Sequence, residues 1–213
     1  MSNVIKVMLV DDHAVVRAGY NMLLKNAAEI EVVAEASSGE EAYQLYSTHQ
    51  PDVVVMDLSL PGIGGIEAIK RICSRDHKAI ILVFSMHEEV IFVEQALQAG
   101  ASGYITKSTD PQLLVEAIIR LSKGEKYIDP ELAQILAYEK SRGQDSLLSD
   151  LSTREFEIFC MLAEGSNTSE IAKRLSLSYK TVANYSTQIK SKLNVSTVAD
   201  IARLAIRHNI IQA

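Results

Sequence analysis

The chain has 213 residues, 47% of them apolar and 23% charged, with a formal net charge of −6. That length suits two small domains, and the apolar share supports packed cores and excludes a disordered chain. Two cysteines, Cys73 and Cys160, cannot build a zinc site without histidines at ligand spacing; they read as reduced thiols inside apolar helical patterns, in preference to one disulfide. The opening MSNVIKVMLVDD lacks the longer apolar stretch and cleavage site of a secretory signal. No run approaches the ~18 apolar residues of a membrane span. The expectation is a cytoplasmic protein with no membrane partner.

Up to about residue 123, short apolar runs alternate with segments of helical period. The runs are Val4–Val10, Glu31–Ala34, Val53–Met56, Ile80–Phe84 and Gly103–Ile105. Between and after them lie Ala14–Asn26, Gly39–Thr48, Gly65–Ser74, Glu88–Ala99 and Pro111–Ser122. Five strands alternating with five helices predict βαβ units and a mostly parallel sheet. Nearly uninterrupted apolar strands are what a sheet covered on both faces requires. Asp110-Pro111 supplies a capping carboxylate and a first-turn proline for the fifth helix.

After Gly124 the strand signals stop. Asp129-Pro130-Glu131 starts a helix to about Tyr138, and residues 139–150 read as linker. Four helical segments follow: Thr153–Glu164, Thr168–Leu175, Tyr179–Leu193 and Thr197–His208. Ser152 with Glu155, and Asn167 with Glu170, have capping-box spacing, and Ser178 is placed as an N-cap. The boundaries expected are 1–124 for the first domain, 125–149 for a linker with one helix, and 150–213 for the second domain.

The charge is divided between these parts. Residues 1–125 carry 10 Lys+Arg against 17 Asp+Glu, net −7, whereas residues 151–213 carry 8 against 5, net +3. Ile171–Ala199 contains five basic residues and no acid. A basic face confined to the helical part is the footprint of a nucleic-acid contact, although an ordinary solvated face has the same charge.

In an open α/β sheet, ligands sit at the carboxyl ends of strands where the strand order reverses. Asp11 and Asp12 follow the first strand, Asp57 ends the third, Ser85 follows the fourth and Lys107 the fifth. With strand order 2-1-3-4-5, several of these meet at one edge. Three crowded carboxylates repel and call for a cation; an all-oxygen site suits Mg²⁺. The chemistry that fits is phosphoryl transfer onto a carboxylate. Asp57 is then the nucleophile, Lys107 holds a transferring oxygen, and Ser85 offers a hydroxyl to the phosphoryl group. Taken singly, each residue has a plainer reading: a helix-capping aspartate for Asp11, a solvated lysine for Lys107. The five together, each at a strand terminus, do not.

LVDDH (9–13), VVVMDLSLPGIGG (53–65), LVFSMH (82–87) and AGASGYITK (99–107) resemble the signature of bacterial receiver domains over about the first 123 residues. The resemblance implies a flavodoxin-like fold and phosphorylation of Asp57 by a sensor histidine kinase. It implies Mg²⁺ held by Asp12, Asp57 and the backbone carbonyl of Ser59, with Asp11 acting through the metal's waters. Ser85 and Tyr104 occupy the family's switch positions. By its sequence position alone, Tyr104 is a strand residue at the sheet edge. Gly64 stands where many receivers have Asp, an exchange read as having little consequence, and Ser108 stands where many have proline.

The segment 169–193, SEIAKRLSLSYKTVANYSTQIKSKL, has the helix-turn-helix pattern. Ile171, Ala172 and Leu175 form the buried face of its first helix, Leu177 fills the turn, and Val182, Ile189 and Leu193 seat the second. Tyr179, Lys180, Thr181, Ala183, Asn184, Thr187 and Lys190 are left for double-stranded DNA. Lys180 and Lys190 are placed for phosphates and Asn184 for a base edge. Residues 150–211 resemble the four-helix LuxR-type DNA-binding domain. With the receiver, that places the chain in the NarL/FixJ family of response regulators and implies homodimerisation on phosphorylation. Ala183 and Tyr185 stand where that family often has Lys and His, which suggests altered base preference.

Two other functions are compatible with parts of this pattern. A haloacid-dehalogenase-type phosphatase also uses an aspartyl nucleophile, but carries a second Asp two positions later, where this chain has Ser59. A receiver whose helical part contacts protein or RNA is the other.

Overall fold

A computed structural model describes residues 4–141, 147–208 and 210–211. The apolar runs form β1 (Ile5–Val10), β2 (Ile30–Ala36), β3 (Val53–Met56), β4 (Ile81–Ser85) and β5 (Gly103–Thr106). The segments of helical period form α1 (Ala14–Lys25), α2 (Gly39–His49), α3 (Gly65–Arg75), α4 (Val90–Ala99) and α5 (Pro111–Ser122). Every strand pairing is parallel, in the order β2-β1-β3-β4-β5-β6.

Period-two alternation explains why both faces of the sheet are apolar. Val53 and Val55 point to the side packed by Leu24, Leu114 and Ile118 of α1 and α5. Val54 and Met56 point to the side packed by Ala42, Ile69 and Val93 of α2, α3 and α4. The helices start where local chemistry allows. Ser38 accepts from Glu41 N–H to cap α2, and Asp110 accepts from Gln112 N–H to cap α5.

The sheet has one strand more than the sequence indicates. β6 (Tyr127–Ile128) pairs with β5, Gly103 opposite Tyr127 and Tyr104 opposite Ile128. Gly103 makes this approach possible, since a Cβ there would lie 2.6 Å from the Tyr127 carbonyl oxygen. Arg120 of α5 lies over the Tyr127 ring, 5.1 Å from its centroid. A two-residue strand has no period to read, so its position in the fold, not its sequence, defines it. β6 also makes β5 an inner strand and buries Tyr104 completely.

α6 (Pro130–Ser141) follows, longer than the helix expected to about Tyr138, and Leu147–Asp150 forms a 3₁₀ turn with Leu148 buried. The second half contains α7 (Thr153–Ala163), α8 (Thr168–Arg174), α9 (Tyr179–Lys192) and α10 (Val198–Arg207). The expected capping boxes at Ser152/Glu155 and Asn167/Glu170 form, and a third forms at Thr197/Asp200. Ile171, Leu175, Val182, Ile189, Leu193, Ile201 and Phe159 close one core around them. Among the described residues no helix is long and apolar enough to cross a membrane. Both cysteines are free.

Candidate functional site

Asp11, Asp57 and Lys107 meet at the carboxyl edge of the sheet, where β1 and β3 lie side by side and the strand order reverses. The Lys107 ammonium lies 2.7 Å from Asp57 Oδ2 and 2.7 Å from Asp11 Oδ2. All three side chains are nearly buried. Burial alone would lower the Lys107 pKa, but donating to both carboxylates outweighs it and raises the pKa above the ordinary value. The second Asp11 oxygen accepts the backbone N–H of His13 at 2.8 Å, which closes the turn before α1; it does not cap the helix, whose N-cap is His13. Parallel register across β1 and β3 sets Asp11 beside Asp57, and Lys107 reaches both from the end of β5, a pairing with Asp11 that the sequence does not indicate.

Asp12 is exposed at the rim, 2.8 Å from His13 Nδ1. Asp11, Asp12, His13 and Asp57 offer ligand atoms that lie within 4.8 Å of one another. The three carboxylates are hard oxygen donors, with one of them open to solvent, and this suits a small divalent cation that keeps part of its water shell. Ser59 N–H donates to Asp57 Oδ1 at 3.3 Å, which fixes the loop after β3 against the central carboxylate.

Ser85 is completely buried at the end of β4 and its Oγ accepts the His87 N–H at 3.4 Å. Tyr104 points inward, its hydroxyl donating to the His87 carbonyl at 2.8 Å, and burial raises its pKa far above that of free tyrosine. The His87 ring lies 3.2 Å from Ser59 Oγ, and burial lowers its pKa, with Glu89 and Asp57 opposing. Ser85, Tyr104 and Ser59 therefore all meet at one residue, His87, on the lip of the acidic pocket.

In the second half, the turn between α8 and α9 is made with Ser176 at φ 53°, and Ser178 accepts from Thr181 N–H to start α9. Val182 and Ile189 face the core, as their spacing predicts. Tyr179, Lys180, Asn184 and Thr187 are exposed, whereas Thr181, Ala183 and Lys190 are half-buried. The Thr181 hydroxyl is already engaged with Ser178 Oγ at 2.7 Å, and Thr187 donates back to the Ala183 carbonyl at 3.1 Å. Lys192 is turned away from this face, 2.6 Å from Glu155 and 3.2 Å from the Asp150 carbonyl.

The two halves touch next to the acidic pocket. Arg154 of α7 donates to the Ile63 carbonyl at 3.4 Å, and Gly62 N–H donates to the Arg174 carbonyl at 3.2 Å. Gln95 of α4 donates to the Leu151 carbonyl at 3.3 Å. Phe92 meets Phe156 edge-on, with ring centroids 5.1 Å apart. Gly64 has φ 73° and ψ 164°, and any Cβ there would run into the Glu157 carboxylate. The glycine that the sequence reading treated as inconsequential is therefore part of the seat for α7. Burial pushes the Glu157 carboxyl up to about 7, Arg154 at 2.5 Å opposing and Glu67 adding to it. None of these contacts covers the exposed residues of α9.

Residues 7–119 match the family described as response regulator receiver domain, and residues 149–205 match bacterial regulatory proteins, luxR family. The chain is 40% identical over 211 residues to the response regulator UvrY of Escherichia coli K12, covering 98% of this chain and 97% of that one. It superimposes with a TM-score of 0.71, at 27% identity, on RcsB from Salmonella enterica serovar Typhimurium bound to promoter rprA with the phosphomimetic BeF₃⁻; the match covers 95% of this chain and 98% of that one. A structure of two RcsB dimers bound to two parallel DNAs matches with a TM-score of 0.61 at 27% identity, over 95% and 98% of the two chains.

Proposed function

Because the chain belongs to the response regulators that join a receiver domain to a luxR-type DNA-binding domain, we propose that Asp57 is the phosphoacceptor through which it is switched. The protein is a DNA-binding transcriptional response regulator of a two-component system, not a classical enzyme. The observation that carries the proposal is the Lys107 ammonium held 2.7 Å from both Asp57 and Asp11. A buried lysine shared by two acids offsets negative charge where a phosphoryl group arrives.

In this reading an Asp57 carboxylate oxygen attacks the phosphorus of a phosphohistidine on a sensor kinase. The new O–P bond forms as the P–N bond breaks, and the electron pair stays on the leaving imidazole. Mg²⁺ would be held by Asp12, Asp57 and the Ser59 carbonyl, with Asp11 reaching it through water. When bound, the ion offsets the charge on the phosphoryl oxygens. Lys107 turns from the carboxylates to a phosphoryl oxygen, and Ser85 Oγ releases the His87 amide to donate to another. No independent substrate turnover follows from this site.

Residues 1–124, with β6 added to their sheet, then form the receiver unit, the rest of 125–149 the connection and 150–213 the DNA-binding unit. The exposed Lys180, Asn184 and Thr187 enter the major groove, with Thr181, Ala183 and Lys190 beside them. Phosphorylation favours a homodimer that presents two such helices, an arrangement supported by the RcsB dimers on DNA. Such a regulator works in the cytoplasm. The test is operator binding and sedimentation with and without acetyl phosphate and Mg²⁺. Dimerisation and tighter binding with the donor are expected; equal values in both conditions overturn the reading.

A further inference from the structure

We infer that His87 is the positioning residue that transmits the state of the acidic pocket to the DNA-binding half, through a stack of rings that ends in α7. The inference rests on the phosphoacceptor reading and names the part that carries its signal across the domain boundary.

Three groups that flank the pocket are attached to this one residue. Ser59, on the loop after Asp57, holds the His87 ring at 3.2 Å. Ser85 Oγ accepts the His87 amide at 3.4 Å, and the Tyr104 hydroxyl donates to the His87 carbonyl at 2.8 Å. On its other side the His87 ring stacks on Phe92, with centroids 3.8 Å apart and planes inclined by 12°. Phe92 meets Phe156 of α7 edge-on at 5.1 Å, and Phe156 stacks over Phe159 in the second core at 6.3 Å. The path from Ser59 to the second core runs through side chains. Each link is a direct contact.

When Ser85 turns to a phosphoryl oxygen, its contact with the His87 amide is lost; Tyr104 still holds the carbonyl, and Ser59, Glu89 and Phe92 still meet the ring. Any displacement of His87 slides its ring on Phe92. Close-packed rings have discrete arrangements rather than continuous ones, so the slide is felt at Phe156. His87→Phe keeps the stack and lacks the nitrogen that meets Ser59. The two ends of the path can therefore be cut separately.

Cys160 supplies the readout. It is half-buried and lines a cavity between the two halves with Leu58, His87, Phe92 and Phe156. In the full chain carrying Cys73→Ser, alkylation of Cys160 by a maleimide is measured with and without BeF₃⁻ and Mg²⁺. The parent accelerates about tenfold or more on adding BeF₃⁻, the response to a shift of about 1.4 kcal/mol in opening. His87→Ala raises the resting rate roughly 2- to 12-fold, the value of one aromatic contact, and reduces the response to BeF₃⁻ to less than about twofold. His87→Phe keeps the resting rate of the parent yet also loses the response. BeF₃⁻ binding itself, read by ¹⁹F resonance, is retained in both variants.

A full response in His87→Ala overturns the inference, as does full rescue by phenylalanine, which reduces the side chain to a filler. Loss of BeF₃⁻ binding in the variants also overturns it, by making His87 part of the pocket. A parent that binds BeF₃⁻ without any change at Cys160 overturns it while leaving the phosphoacceptor reading intact. A parent that binds no BeF₃⁻ removes both.

Discussion

Replacing Gly64 with alanine tests the seat between the two halves. The backbone there, φ 73° and ψ 164°, lies in a region essentially reserved for glycine, and a side chain costs about 1–3 kcal/mol. A second cost arises only when α7 is docked, because the added Cβ runs into the Glu157 carboxylate. Forcing an extra carbon into a close contact costs about 1–3 kcal/mol more. The expected loss for Gly64→Ala in the full chain is therefore about 2–6 kcal/mol. In a Glu157→Ala background only the backbone part survives, about 1–3 kcal/mol. Urea denaturation of the four proteins gives the double-mutant cycle. An equal loss in both backgrounds refutes the contact between loop 62–64 and α7. A loss below about 1 kcal/mol refutes the backbone conformation as well.

Glu157 makes the same seat sensitive to pH. Burial raises its pKa to about 7, so its contribution to stability is fully present below the ordinary carboxyl pKa and is lost as pH rises through about 7. The denaturation midpoint of wild type minus that of Glu157→Gln should fall across this window; a difference that rises with pH contradicts it. Lys107→Met leaves Asp11 and Asp57 without their shared cation, and breaking such a buried pair costs about 3–5 kcal/mol. Urea denaturation without Mg²⁺ checks that value, and unchanged stability refutes the pairing. Lys180→Ala should lower the slope of log affinity against log salt by about 0.9, uniformly across DNA sequences. Asn184→Ala should instead remove about 1–3 kcal/mol of discrimination at one base position, measured by competition binding. Removing Mg²⁺ with a chelator should abolish labelling by acetyl phosphate, and labelling that survives chelation removes the metal from the account.

The parts of this structure that were legible in the sequence are those set by local chemistry or by strand periodicity. VVVM at 53–56, β-branched and bounded by polar residues, reads as a strand buried on both faces, and it delivers Asp57 to the reversal point. The Ser152/Glu155 and Asn167/Glu170 boxes fix helix starts within a few residues of chain, so spacing alone finds them. Asp11, Asp57 and Lys107 were expected together because each follows a strand end. What escaped depends on contacts between distant segments. β6 is two residues long and exists because Gly103 leaves room for Tyr127. Gly64 looks like any loop glycine until Glu157 is beside it. The His87–Phe92 stack has a sequence trace, an aromatic five residues after a histidine, but nothing in the spacing indicates that Phe156 waits on the far side.

The central claim is that one side chain, Asp57, receives the phosphoryl group. Incubation with acetyl phosphate and Mg²⁺, reductive trapping of the acyl phosphate and peptide mapping test it directly. The expected result is a single modified residue at position 57 and none in Asp57→Asn. Modification at Asp11 or Asp12 instead, or undiminished labelling of the Asp57→Asn protein, contradicts it.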